Sequence, residues 1–281
     1  MANYYCLIAG LPDIRLSESR PQRTMMELKD EMSEVLTDRD EQLLRYYFMR
    51  FDCENLVKML EDPDAELDPR GNLTREQLVD LMTSARELNF NVHRYPSFMS
   101  IFAREYAFNK DKAGWFANDA MLLAYYEWAR ECPNRLMSEW YTLNLNIANI
   151  LTALIARRQG WTLSDFVQGN DPVVETIVNH ANLQDFDLGT ELDYMHDLMR
   201  CASLEDPVEK ERQIDALKWE WLEDKTFLEP FGIEALFCYI VRTEMLERWA
   251  QLDPETGRQR FTQIIENLRG EAKVPEEFIR K

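Results

Sequence analysis

Glycine and proline are scarce in this sequence, with 9 and 11 positions among 281 residues. Turns between many short strands usually depend on these two residue types, so their scarcity argues against a β-sandwich or a β-barrel. Leucine, glutamate, methionine and arginine are frequent instead, and they favour long helices. The composition therefore predicts an all-α fold.

Cysteine and histidine are also few, which limits metal and disulfide chemistry. The three histidines include His196, which would share a helix face with Asp193, but no second ligand pair of the kind that a carboxylate-bridged metal bundle needs is evident. We predict no metal ligands. The five cysteines lack CxxC spacing, and we interpret them as core residues in a reduced compartment. They are Cys6, Cys53, Cys132, Cys201 and Cys238.

The common catalytic and nucleotide-binding motifs are missing. The sequence contains no GxxxxGK[ST], GxGxxG, HExxH or GxSxG, so it lacks the signatures of phosphate-binding loops and of the commoner hydrolases. Glu127 and Glu131 would share a helix face, but Arg130 lies beside them and general acid–base chemistry has no further support. We therefore predict no catalytic residues, no cofactor-binding residues and no cofactor.

Positive charge is in deficit, because 51 acidic residues outnumber 32 lysines and arginines. A net charge of −19 repels phosphate backbones and anionic membrane surfaces, which argues against binding of nucleic acid and direct insertion into membranes. The opening "MANYYCLIAGLPDIRL" has no basic segment, and its apolar run is too short to span a bilayer. We expect a cytoplasmic protein.

The remaining sequence is predicted to be helical apart from one short segment. "NYYCLIAGLPDI" could be extended, because an apolar aromatic run ends at a glycine and a proline. The Thr74-x-x-Gln77 spacing predicts a capping box at the start of a helix. Further helices are predicted at 23–36, 38–61, 97–108, 114–131, 134–159, 192–201, 207–224, 233–252 and 255–268.

An internal repeat accounts for asparagines in two strongly apolar helices. "DCENLVKML" overlies "LNLNIANIL" at an offset of 91 residues, from 55 to 146, which pairs Asn55 with Asn146 and Leu56 with Ile147. A glycine stop and a capped short helix follow both copies. We interpret the asparagines as amides that bond to a neighbouring backbone and fix helix register, the alternative being direct contact with a partner.

The segments "YYFMRFDCENLVKML", "WYTLNLNIANILTALIARRQGWTLSDFV" and "LEPFGIEALFCYIVRTEMLERW" resemble repeated units of a known family. They are similar to the C-type central-stalk subunit (d in eukaryotes) of V-type and archaeal-type ATP synthases, and to an uncharacterised bacterial family encoded beside V-type ATP synthase subunits. The residues that carry the resemblance in the repeat positions are Asp52, Asn55, Leu56, Asn146, Ile147, Tyr239, Glu244 and Glu247.

The resemblance implies three related helical bundles packed as a pseudo-threefold funnel. Units at 1–91, with a divergent N-terminal segment, at 92–183 and at 184–281 would form it. The implied function is that of a non-catalytic central-stalk subunit, a socket that couples the rotating shaft to the membrane rotor ring. Its partners would be shaft and ring subunits, and it would lie peripherally at the inner membrane through the ring.

Two other functions are compatible with the sequence. One is a free-standing acidic helical adaptor that is unrelated to the ATP synthase. The other is a helical-bundle enzyme with a carboxylate-based site between helices, for which a buried cluster of His196 and several carboxylates would be the evidence.

Overall fold

The structure is a computed structural model that describes residues 4–86, 94–112, 115–169, 171–227 and 230–251. Across these ranges the chain forms eleven α-helices and no strand. The helices are α1 (Tyr5–Gly10), α2 (Met25–Val35), α3 (Asp38–Glu61), α4 (Arg75–Arg86), α5 (Ser97–Asn109), α6 (Ala117–Ala129), α7 (Arg135–Gln159), α8 (Pro172–Asn179), α9 (Met195–Ala202), α10 (Pro207–Thr226) and α11 (Ile233–Gln251), with a short 3-10 helix at Leu163–Asp165.

The predicted all-α fold class is confirmed. The bounds of α3 match the prediction, and the other predicted helices in the described ranges agree to within about three residues at each end. The predicted helix at 255–268 lies outside the described residues, and the packing of three bundles into a funnel remains a prediction. No helix in the described ranges combines the length and the apolarity needed to cross a bilayer.

Local side-chain bonds set the ends of several helices. The predicted capping box is present: Thr74 N donates to Gln77 Oε1 at 2.8 Å, and Gln77 N donates to Thr74 Oγ1 at 3.3 Å. The Asn134 side chain accepts from Met137 N at the start of α7. That helix ends at Gly160, whose φ of 71° suits a residue without a Cβ.

The prediction of an extended N-terminal segment is wrong, because Tyr5–Gly10 forms α1. Buried backbone groups need hydrogen-bond partners, and the described fold offers no strand for this segment to pair with. Tyr4 anchors it by two contacts. Its backbone N donates to Phe231 O at 2.9 Å, and its hydroxyl donates to the Asp40 carboxylate at 2.5 Å.

The cysteines largely occupy the core, as predicted, with one exception. Cys6 on α1 is exposed, because this helix of six residues lies on the surface and buries none of its own side chains. The prediction is therefore wrong for Cys6. The buried cysteines are Cys53, Cys132, Cys201 and Cys238.

A second helix, α8, was also not predicted. Pro172 looks like a loop residue, but it occupies the first turn of α8, where its missing N–H is not needed. Asp171 caps this helix by accepting from Val174 N at 3.1 Å. The Asp-Pro pair therefore signals the start of a helix at this position.

Aromatic side chains bring three long helices together at the centre of the molecule. Phe237 on α11 is fully buried, and its ring centroid lies 5.6 Å from Tyr47 on α3 and 6.4 Å from Tyr141 on α7. Trp140 on α7 packs against the same ring at 6.5 Å. Helices α3, α7 and α11 come from the three predicted sequence units, so this cluster joins all of them.

We predict that Phe237→Ala destabilises the protein by about 3 to 5 kcal/mol, because it removes a buried ring and leaves a cavity between three helices. The free energy of unfolding from chemical denaturation measures the effect. Phe227→Ala is the control, since that ring is 82% exposed, and its cost should stay within about 0.5 kcal/mol. Equal costs for the two variants would contradict a central role for Phe237.

Candidate functional site

The Asn55 side chain forms two hydrogen bonds with the backbone of a single residue. Its Oδ1 accepts from Asp68 N at 2.7 Å, and its Nδ2 donates to Asp68 O at 2.9 Å. Asn55 lies on α3, whereas Asp68 lies in the loop before α4. The amide bonds to a neighbouring backbone, as the interpretation from sequence proposed, and fixes the loop to the helix. The role in fixing helix register remains an interpretation.

Asn149 on α7 forms the same pair of bonds with Gln168. Its Oδ1 accepts from Gln168 N and its Nδ2 donates to Gln168 O, both at 2.8 Å. The counterpart of Asn55 is therefore Asn149, at an offset of 94 residues from 55 to 149. The predicted pairing of Asn55 with Asn146 is wrong in this respect.

The error has a geometric cause. Asn146 and Asn149 lie three residues apart, which is nearly one helical turn, so both occupy the same side of α7 and periodicity does not separate them. Asn146 instead donates from Nδ2 to the Tyr194 hydroxyl at 3.4 Å. Its Oδ1 is buried without a partner among the described residues.

Asp52 fixes the end of the same loop. Its carboxylate accepts from Asn72 N at 2.9 Å and from Leu73 N at 2.8 Å. A Cβ at position 71 would overlap the carboxylate, so this close approach depends on Gly71. Burial raises the pKa of Asp52, although the bonds from Asn72 and Leu73 oppose that shift.

The third unit keeps the spacing but changes the partners. Tyr239, Glu244 and Glu247 have the same spacing as Tyr47, Asp52 and Asn55. Glu247 Oε1 accepts from Met25 N at 2.7 Å and thereby holds the start of α2 against α11.

Three other predicted positions either hold a neighbouring segment or pack in the hydrophobic core. Tyr239 donates its hydroxyl to Pro12 O at 3.0 Å, which fixes the segment after α1. Leu56 and Ile147 are buried in the hydrophobic core. None of these three lines the central cavity described below.

A buried ion pair links the first unit to the third. The Arg50 guanidinium donates to both carboxylate oxygens of Glu244, at 3.3 Å and 3.2 Å. The Tyr47 hydroxyl donates a hydrogen bond to Glu244 Oε2 at 3.0 Å. Burial alone would raise the pKa of Glu244, but the charges of Arg50 and Arg248 outweigh it, and the pKa lies below its ordinary value. Glu244 is therefore ionised at neutral pH.

A cavity of about 550 Å³ lies next to this ion pair. Arg50 and Glu244 line it, and its other lining residues come from α3, α6, α7, α10 and α11. The wall is rich in aromatic side chains. They are Tyr47, Tyr125, Tyr126, Trp140 and Tyr141.

A second ion pair lies on the α10 and α11 side of the cavity. Arg248 donates to the Asp215 carboxylate, and Trp249 Nε1 donates to Asp215 Oδ2 at 2.7 Å. Lys218, one turn after Asp215, also lines the cavity. Burial lowers the pKa of Lys218, an effect that the charge of Asp215 partly opposes.

Of the residues predicted from the repeat, only Glu244 lines the cavity. Arg50 and Lys218 were missed, because isolated cations on helices resemble solvent-exposed residues in a sequence. A usable signal exists for Arg50. It lies three residues after Tyr47, so both side chains project from one face of α3.

The cavity does not contain the cluster of His196 with several carboxylates that was named as evidence for an enzyme. His196 lies elsewhere, with a side chain that is 91% exposed. Glu127 and Glu131 are both exposed. No group of three or more His, Cys, Asp or Glu residues in the described ranges is arranged to hold a metal ion.

Comparison with known proteins gives one family. The model of a family described as "Protein of unknown function (DUF2764)" matches residues 1–272. Neither the curated proteins nor the solved structures contain a match to the chain.

We predict that Asn55→Ala and Asn149→Ala each cost about 1 to 3 kcal/mol of stability, because each leaves a backbone N–H and C=O unpaired. Asn146→Ala should cost less than either, since it removes a single bond of 3.4 Å. Chemical denaturation of the three variants measures this order. A larger cost for Asn146→Ala than for Asn149→Ala would favour Asn146 as the counterpart of Asn55.

We predict that Glu244→Gln costs about 1 to 3 kcal/mol at neutral pH, because it leaves the partly buried Arg50 guanidinium without its counter-ion. Glu41→Gln is the matched control. Glu41 pairs with Arg45 at 2.9 Å, but both side chains are largely exposed, and such pairs contribute less than about 1 kcal/mol.

Comparison of the wild type with Glu244→Gln also tests the pH dependence of stability. A carboxyl whose folded pKa is lowered stabilises the fold above its unfolded pKa, and this contribution is lost as the pH falls through the folded pKa. The stability difference between wild type and Glu244→Gln should therefore shrink below about pH 4. A constant difference down to about pH 2 would contradict this assignment.

Proposed function

The chain belongs to the DUF2764 family, and we propose that it is a non-catalytic central-stalk subunit of a V-type ATP synthase. In this role it is a socket that couples the rotating shaft to the membrane rotor ring. The observation that carries the proposal is the convergence of α3, α7 and α11 on one cavity. These helices contain most of each of the three segments on which the resemblance to the stalk protein rests.

Resistance to torque requires a stiff body, and the repeated polar positions supply cross-links between helices and loops. Asn55 and Asn149 each bind a loop backbone through two hydrogen bonds. Glu247, in the predicted third unit, holds the first turn of α2, which lies in the predicted first unit. These bonds hold loops against helices and one unit against another, which supports a mechanical role.

The mouth of the cavity supplies a surface for the shaft. Leu122 lines the cavity and is 46% exposed, while Glu54, Glu61 and Asp119 surround it with negative charge. A central apolar contact with a charged rim is the usual composition of a protein interface. The acidic rim favours encounter with a basic surface of the partner.

A coupling protein also needs a second interface for the rotor ring. Ile101, Phe108 and Phe116 are exposed on α5 and just before α6, at 42%, 75% and 67%. None of them lines the central cavity. Exposed apolar side chains of this size are frequent in protein contact surfaces, which supports a second site separate from the first.

The two buried carboxylates of the cavity favour this function over an enzymatic one. Glu244 and Asp215 are each paired with an arginine, so neither carboxylate is available as a general acid. The other three lining carboxylates are exposed at the rim; they are Glu54, Glu61 and Asp119. Among the described residues of the cavity there is no histidine or serine to act with them.

Affinity purification tests the proposal. We expect the tagged chain, extracted from its native host under gentle detergent conditions, to recover shaft and rotor subunits of a V-type ATP synthase. High salt should weaken the association only partly, because salt screens the rim charges and not a desolvated apolar centre.

Two leucines with equal exposure provide a matched pair of variants. Leu122→Arg places a charge at the mouth of the cavity and should reduce recovery of the shaft by at least about tenfold. Leu183, also 46% exposed, lies outside the cavity, and Leu183→Arg should recover the shaft normally. Recovery of the wild-type chain alone would instead favour a free-standing adaptor.

A further inference from the structure

The central cavity has the size and the walls of a small-molecule site. Its volume of about 550 Å³ lies within the range of about 300 to 1,000 Å³ that is typical of ligand pockets. Tyr125 and Tyr141 meet edge to face with ring centroids 5.9 Å apart, and Tyr126 and Trp140 extend the aromatic wall. A flat or aromatic ligand body would make extensive contact with these rings.

Two lysines that line the cavity have no ion pair among the described residues, and of these Lys58 is exposed at the rim whereas Lys218 is partly buried. Arg50 is paired with Glu244, and Arg248 is paired with Asp215. No described residue accepts a hydrogen bond or forms an ion pair with Lys218 Nζ, although Asp215 lies near enough to affect its pKa. A half-buried ammonium with no acceptor is a recognition group for an anion.

Acidic residues at the rim do not cancel the interior charge. Glu54, Glu61 and Asp119 are exposed, and so is Lys58 beside them. Water and salt screen these rim charges, whereas Lys218 is partly removed from water. The interior therefore retains its preference for an anion.

We propose that the central cavity binds a small organic carboxylate with an aromatic body. Lys218 is the charge partner of the carboxylate, and the tyrosine and tryptophan rings contact the ligand body. The proposal does not rest on the stalk role, although the shaft contact is proposed at the mouth of the same cavity. Its test is separate, because binding is measured on the isolated full-length chain and requires no other subunit.

The probes are 3-phenylpropionate and its neutral analogue 3-phenylpropionamide, titrated by calorimetry and by ligand-observed NMR. The carboxylate should bind at least about tenfold more tightly than the amide. Equal affinities, or no binding of the carboxylate at concentrations up to about 10 mM, would overturn the proposal.

Two lysine variants on α10 test whether Lys218 is the charge partner of the ligand carboxylate. Lys218→Met keeps the length of the side chain and removes its charge, and should weaken 3-phenylpropionate about tenfold or more. Lys210→Met is the control, because Lys210 lies on α10 outside the cavity. An equal loss in both variants would indicate a non-specific effect of net charge and would contradict the site.

The pH dependence of binding follows from the environment of Lys218. Burial and the charges of Arg248 and Arg50 lower its pKa, while Asp215 and Glu211 raise it, and the net pKa lies below the ordinary value. Affinity for 3-phenylpropionate should therefore fall as the pH rises through this lowered pKa. An affinity that stays constant up to about pH 10.5 would contradict the assignment.

Discussion

The buried ion pair between Arg50 and Glu244 governs the centre of this protein, because it can form only when α3 and α11 are correctly placed. Removing two charges from water costs several kcal/mol each, and mutual attraction offsets that cost only with good geometry and additional hydrogen bonds. Tyr47 supplies one such bond, and Phe237 packs against the same tyrosine. The cavity walls depend on this arrangement, since Arg50, Glu244 and Tyr47 all line the cavity.

The repeated amides solve a different problem, which is how to attach a loop to a buried helix. A primary amide has a donor and an acceptor in one plane, so it pairs with a backbone N–H and C=O in the way that another peptide group would. Asn55 and Asn149 use both functions. Glu247 cannot donate when ionised, and it accepts a single bond from Met25 N. The third unit therefore has a polar residue at the same position, but this residue does not form the pair of hydrogen bonds with one backbone residue.

Much of the fold could be predicted from the sequence, because helix periodicity and capping residues are local signals. The capping box at Thr74 and the extent of α3 are examples. The N-terminal segment could not, since its helix depends on contacts of Tyr4 with Phe231 and Asp40 that are distant in sequence. The cavity was missed for the same reason. Arg50, Lys218 and Tyr141 line one cavity only when the three predicted units pack together, and no local sequence pattern indicates those contacts.

The spans of the hydrogen bonds have a consequence for the order in which the chain folds. Asn55 and Asp68 are 13 residues apart, whereas Arg50 and Glu244 are 194 residues apart. Closing the longer loop costs about 2 to 3 kcal/mol more in chain entropy. Each helix and its attached loop can therefore assemble during synthesis. The ion pair between Arg50 and Glu244 can form only after α11 has been synthesised. A nascent chain without α11 would carry Arg50 without the Glu244 carboxylate, and the packing around Arg50 would be completed only after α11 had left the ribosome.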